Sequence, residues 1–223
     1  DVTNNRATIY HYNGTNWSVQ RNIDGVQLFS VFALNAANVW SAGTDFNNLR
    51  GTIYRYNGTN WTEQANTGAS DITFYGITAL DSLNVWAAGH DNTNNRGTIY
   101  FYDGANWTEQ ANTGTSDIQF NGIMALNTTN IWATGYDTTN TRGTIYHFDG
   151  TDWTEQANTA HRAIVFRGIF AITGATYGWA VGEDNDNVCG TIWDMVLLTT
   201  TASTAVAGAS DKSTKCFIAT AAY

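Results

Sequence analysis

A period of about 46 residues runs through this chain and restricts what it can fold into more than any other feature. Gly-Thr-Ile recurs at Gly51, Gly97, Gly143 and Gly190, with Ala-Thr-Ile at Ala7. One tryptophan series runs Trp17, Trp61, Trp107, Trp153, and a second runs Trp40, Trp86, Trp132, Trp179. Residues 51–96 and 97–142 share 31 of 46 positions, and Trp-Thr-Glu-Gln-Ala-Asn-Thr returns unchanged at 61, 107 and 153. A unit of this length cannot bury its own faces, so its copies must stack on one another.

Each unit reads as four short strands, shown by Ile72–Leu80, Asn84–Gly89, Gly97–Tyr102 and Trp107–Gln110. β-Branched and aromatic residues fill these runs, while Asn, Asp, Gly and Thr fill the gaps. Between the third and fourth strands stand Asn13-Gly14, Asn57-Gly58, Asp103-Gly104 and Asp149-Gly150, pairs that tolerate positive φ and favour tight reversals. Proline is absent, and no stretch keeps a helical period. Four antiparallel strands per 40–50 residues is the blade of a propeller. The expected fold is therefore an all-β propeller of four to five four-stranded antiparallel blades, about 46 residues per repeat, closed by terminal strands. A parallel β-helix is the competing solenoid, but its coils are shorter and lack regular Asn-Gly hairpins. In the propeller register, Trp40, Trp86, Trp132 and Trp179 belong in the core, as do Ile53, Ile99, Ile145 and Ile192.

The hairpin phrase Asn57-Gly58-Thr59-Asn60-Trp61 resembles the latter half of the Asp-box of sialidase-like propellers. Tyr54 and Tyr56 stand where that box opens with a serine and a carboxylate. Val85–Gly89 is similar to the second strand of bacterial surface propeller repeats. These likenesses cover roughly residues 6–195 and imply blade architecture on an extracellular protein. Asp-boxes in such folds are structural hairpins. Cys216-Phe217-Ile218-Ala219-Thr220-Ala221-Ala222-Tyr223 resembles the Cys-Phe-Ile box of bacterial surface proteins, which implies export or sorting.

The repeats predict an organisation of 1–198 as propeller units, 199–215 as a Thr/Ala/Ser-rich connection and 216–223 as an apolar terminal strand. The chain opens in the third strand of a unit, at Thr8–Tyr12 and Trp17–Gln20, which leaves a half-blade lacking two strands. Exposed strand edges invite pairing. Cys216, Phe217, Ile218 and Tyr223 are therefore candidate assembly residues, completing a blade of the same chain or adding to a neighbouring copy. Cys189 and Cys216, the two cysteines, are a candidate disulfide.

The formal charge of −9 and pI near 4.6 argue against nucleic acid partners, and no apolar run approaches a membrane span. The loops between second and third strands are acidic and Asn-rich. Oxygen ligands of that kind suit Ca²⁺, with Asp184 and Asp186 as the best candidates; turn-forming is the competing role. Arg50, Arg96 and Arg142 obey the repeat, as do Glu63, Glu109 and Glu155, which points to scaffold duties. His161, Arg162 and Arg167 break it, as a ligand site or a closure point requires. Six Asn-x-Ser/Thr acceptors stand at Asn13, Asn16, Asn57, Asn60, Asn106 and Asn127.

No nucleophile motif or metal-ligand spacing rises from the sequence. The functional expectation is a non-enzymatic structural or adhesive protein of the extracellular space or cell surface, with no catalytic residues and no cofactor beyond structural Ca²⁺. Its expected partner is itself, through the terminal strands, in filaments or a surface layer. The alternative is a propeller lectin holding glycans at its blade interfaces.

Overall fold

The computed structural model describes residues 6–68, 70–160, 162–172 and 177–196. Seventeen strands form five antiparallel sheets, with no helix among the described residues. The first sheet pairs β1 (Arg6–Tyr12) with β2 (Trp17–Asp24). Blade 1 holds β3 (Val26–Asn35), β4 (Asn38–Asp45), β5 (Arg50–Tyr56) and β6 (Trp61–Asn66). Blade 2 holds β7 (Ile72–Ala79), β8 (Val85–Asp91), β9 (Arg96–Tyr102) and β10 (Trp107–Asn112). Blade 3 holds β11 (Ile118–Asn127), β12 (Asn130–Asp137), β13 (Arg142–Phe148) and β14 (Trp153–Asn158). Blade 4 has three described strands, β15 (Ile164–Ala171), β16 (Tyr177–Asp184) and β17 (Cys189–Val196). Repeated up-and-down sheets of this kind make the chain a β-propeller. Residues 199–215 and 216–223, including the terminal-strand candidates, lie outside the described residues, as does His161.

The turn chemistry read from the sequence is present. Gly14, Gly58, Gly104 and Gly150 hold φ between 95° and 102°. The preceding Asn or Asp folds its side chain back over the turn: Asp103 Oδ1 accepts the Ala105 and Asn106 amides at 2.8 and 2.7 Å. Asn57 does the same for Thr59 and Asn60. Each of these hairpins is thus closed by hydrogen bonds within its own turn.

The core lies between sheets. Trp40 and Ile53 of blade 1 pack on Ile72, Phe74 and Ile77 of blade 2. Trp86 and Ile99 of blade 2 pack on Ile118, Phe120 and Ile123 of blade 3. Trp132 and Ile145 meet Ile164 and Phe166 of blade 4. A buried side chain of this size contributes roughly 1.5–3 kcal/mol, and the same set is repeated at every interface. Trp40, Trp86 and Trp132 are buried as expected, and Trp179 is half-buried. Ile192 departs from the expectation: it is 57% exposed where Ile53, Ile99 and Ile145 are 1–2% exposed. Those three are covered by the following blade, and no described strand follows blade 4.

First strands face the axis. β7 packs against β3 and β11, and β11 packs against β15, so these strands converge while β6, β10 and β14 lie outermost. Every first strand carries a β-bulge at the same repeat position, between Leu28 and Ser30, Phe74 and Gly76, Phe120 and Gly122, and Phe166 and Gly168. A bulge inserts one unpaired residue and re-aims its side chain. Closely after it sits a residue small enough for the inner strands to touch. A Cβ on Gly76 would stand 3.1 Å from Ile123 Cγ2, and one on Gly122 would stand 3.1 Å from the Gly168 Cα.

Candidate functional site

The bulged residues are Phe29, Tyr75, Asn121 and Arg167, a different chemistry from each blade on an otherwise uniform repeat. Two of them are in contact. The Phe29 and Tyr75 rings are 5.1 Å apart. Asn121 Nδ2 donates to the Phe166 carbonyl at 2.7 Å, and Gln119 Nε2 donates to Asn121 Oδ1 at 2.7 Å. The Arg167 charge is felt at Tyr75, two blades away. Burial pushes the Tyr75 phenol above its usual value, against the smaller opposing pull of the Thr73 hydroxyl and Arg167.

A second column of variable residues stands on the second strands: Thr44, His90, Tyr136 and Glu183. His90 Nε2 lies 2.7 Å from Asp117 Oδ1, and its Nδ1 lies 2.7 Å from Asn92 Oδ1. Asn92 Nδ2 in turn donates to the Asp71 carboxylate and to Thr73 Oγ1, at 3.4 and 3.2 Å. Both neighbours thus present oxygens to the ring. The Thr138 hydroxyl, helped by His90, holds the Asp117 carboxyl below the ordinary aspartate value against the opposing effect of burial. Glu183 pairs with Arg167 Nη2 on blade 4, and both side chains are about half exposed. Blades 3 and 2 thus share a carboxylate–imidazole contact, and blade 4 holds a carboxylate–guanidinium pair. Such a set can transfer protons and stabilise charge on a polar substrate.

The acidic loops are turn scaffolds. Asp91 Oδ1 accepts the Thr93 and Asn94 amides, and its Oδ2 accepts Asn94 Nδ2 at 2.8 Å and Arg96 Nε at 3.1 Å. Burial works to raise the Asp91 pKa, but the Asn94 and Arg96 hydrogen bonds outweigh it and leave the carboxyl low. Arg96 also bridges to Glu109, whose Oε1 accepts Thr98 Oγ1 at 2.7 Å. The same Asp–Arg–Glu–Thr set recurs at Asp45–Arg50–Glu63–Thr52 and Asp137–Arg142–Glu155–Thr144. In blade 4, Cys189 takes the arginine position and Arg162 reaches in from the preceding loop, 3.0 Å from Asp184 Oδ2.

Asp184 and Asp186 stand in that loop. Asp184 accepts the Asp186 and Asn187 amides, Asn187 Nδ2 and Arg162; Asp186 Oδ2 accepts the Ala163 amide. The described residues contain no group of three or more His, Cys, Asp or Glu side chains arranged to hold a metal ion. Cys189 is disulfide-bonded. Cys216, Phe217, Ile218 and Tyr223 lie outside the described residues.

Sequence reasoning singled out Arg167 as a break in the repeat but passed over Tyr75, Asn121, His90 and Glu183, which break it too, and Asp117, which repeats Asp71. The available signal was column-by-column divergence between repeats at the bulge.

A propeller with an asymmetric polar set on its axis is the class of protein these features define. No protein-family model and no curated protein sequence matches the chain. Two solved structures are similar in fold. One is an exo-β-1,3-galactanase from Phanerochaete chrysosporium, solved with β-1,3-galactotriose. It matches at TM-score 0.50 and 9% identity, over 76% of this chain and 46% of that one. The other is a GH43 β-1,3-galactosidase, at TM-score 0.52 and 10% identity, over 84% of this chain and 50% of that one. The chain thus spans about half the length of the structures it matches.

These likenesses correct the expectation of a non-enzymatic structural or adhesive protein, together with its lectin alternative. The propellers this chain resembles are glycan-cleaving enzymes. The earlier expectation rested on the uniformity of the repeats, whereas the axial positions are where the repeats differ. At such low identity the likeness establishes the fold, and activity belongs to the proposal that follows.

Proposed function

We propose that this chain is a glycan-processing propeller that hydrolyses a glycosidic bond at its axis. The observation that carries the reading is that, on a fold shared with glycan-cleaving enzymes, the inner-strand bulge holds four different side chains, Phe29, Tyr75, Asn121 and Arg167, where the rest of the repeat is uniform. Glycoside cleavage calls for two carboxyl groups, one kept ionised and one able to give a proton. Asp117, held low by Thr138 and His90, suits the ionised role. Glu183 supplies the second carboxyl, and it must leave its pairing with Arg167 to act as the proton donor. Phe29 and Tyr75 offer an aromatic wall for a sugar face, and Asn121 a hydrogen-bonding group. A secreted or surface location, read from composition, agrees with a glycan substrate.

The test is product release from β-1,3-galactan oligosaccharides and a wider oligosaccharide panel, using the whole chain. Asp117→Asn and Glu183→Gln are each expected to lower turnover by about 10²–10⁴-fold, with the melting temperature little changed. No product from any glycan, or full activity in both variants, overturns the reading.

A further inference from the structure

Blade 4 presents to solvent a face that blades 1 to 3 bury. Ile192 is 57% exposed, whereas Ile53, Ile99 and Ile145 are covered. Val181 is 44% exposed, whereas Ala42, Ala88 and Thr134 at its position are fully buried. Phe170 is 62% exposed. Its counterparts Thr78 and Met124 each accept a backbone amide from the next inner strand, from Ala125 and Ala171 respectively. The glycines tell the same story without side chains. A Cβ on Gly51, Gly97 or Gly143 would stand 2.8 Å from the phenylalanine of the next inner strand, but one on Gly190 would meet nothing nearer than 3.9 Å. A Cβ on Gly122 would press on Gly168, whereas one on Gly168 would touch only Val181 of its own sheet.

Across the gap, blade 1 has the complementary defect. Val31 is 65% exposed, although Ile77 and Ile123 at its position are 4% and 8% exposed. β1 pairs only with β2, so its other edge is free among the described residues. A cavity of about 250 Å³ lies there, lined by Thr8, Tyr10, Phe29, Val31, Ser41 and Trp61. Each face lacks the inner strand that covers the equivalent residues of the other blades.

We propose that the occupant is this chain's own segment Cys216–Tyr223, seated as the inner strand of the blade that β1 and β2 begin. Three observations select it. Cys189 is disulfide-bonded, and the only other cysteine in the sequence is Cys216. Cys189 immediately precedes Gly190, and the equivalent glycines 97 and 143 lie against the carbonyls of Ile118 and Ile164, the first residues of the next inner strands. A disulfide holds its two α-carbons about 4.4–6.8 Å apart, so the bond sets Cys216 where such a strand starts. The segment is uncharged and apolar, and with Cys216 in the first position it places Ile218 where β7 and β15 carry Phe74 and Phe166.

Amide hydrogen exchange on residues 1–223 and on a chain lacking 216–223 tests this. The intact protein should protect β15 and β17 as strongly as β7 and β9. Truncation, or reduction of the intact protein, should raise exchange at β15 and β17 at least about tenfold while sparing β7 and β9. Gly168→Ala should lower the melting temperature of the intact chain and leave the truncated one unchanged. Equal exchange in both chains, or a Gly168→Ala effect absent from the intact chain, overturns the proposal. So does protection that fades on dilution, which would make the occupant a second copy.

Discussion

Gly122 of blade 3 lies against Gly168 of blade 4 so closely that a Cβ added to Gly122 would stand 3.1 Å from the Gly168 Cα and 3.0 Å from Thr134 Oγ1. The neighbours are largely backbone, which cannot turn aside. Gly122→Ala is therefore expected to destabilise the fold by about 1–3 kcal/mol through overpacking. Denaturant unfolding of the variant measures it, and an unchanged midpoint would show that the inner strands have room to part.

Gln110 joins two blades through one oxygen. Its Oε1 accepts the indole N–H of Trp86 in its own blade at 3.2 Å and of Trp153 in the next at 3.1 Å. At the preceding interface Gln64 donates instead to Thr62, and the buried Trp40 and Trp107 Nε1 atoms have no partner. Gln110→Met should then cost about 1–3 kcal/mol for the donors it strands, and Gln64→Met should be close to neutral. Thermal unfolding of the two variants side by side decides the matter. Equal losses would mean that Gln64 reaches its tryptophans in solution.

Acid should attack the repeated carboxylates. Asp45, Asp91 and Asp184 have folded-state values below the ordinary one, because their hydrogen bonds and arginine partners outweigh burial. A depressed carboxyl binds its proton more readily when unfolded. Its contribution is thus complete above the unfolded value near pH 4 and is lost as pH falls through the folded value. Stability should decline below about pH 4, and Asp91→Asn should lower the plateau and flatten that decline. Melting curves from pH 7 to pH 2 provide the check, and an identical slope in the variant would contradict it.

Much of the architecture was legible because repetition averages out accident. The Asn-Gly and Asp-Gly pairs fixed the hairpins at Gly14, Gly58, Gly104 and Gly150, and the two tryptophan series fixed the register. The burial of Trp40, Trp86 and Trp132 followed from stacking alone. Ile192 misled because equivalent sequence positions are equivalent in space only when the neighbour exists on both sides. The axial site was hidden for the opposite reason. A residue such as Asn121 or Glu183 differs from its repeat counterparts, so it reads as drift until the bulge shows that drift and the axis coincide.

Each inner strand in this fold meets the inner strands beside it, and its outer hairpin is closed by its own Asx turn. Stability is then a sum over nearest neighbours, as in a one-dimensional lattice, rather than a property of one shared core. Once the segment proposed to close the seam is released, a blade at either end of the row has a single interface, so opening should begin there and travel inward. The molecule's resistance to heat and proteases is accordingly set at its seam, away from the middle blades.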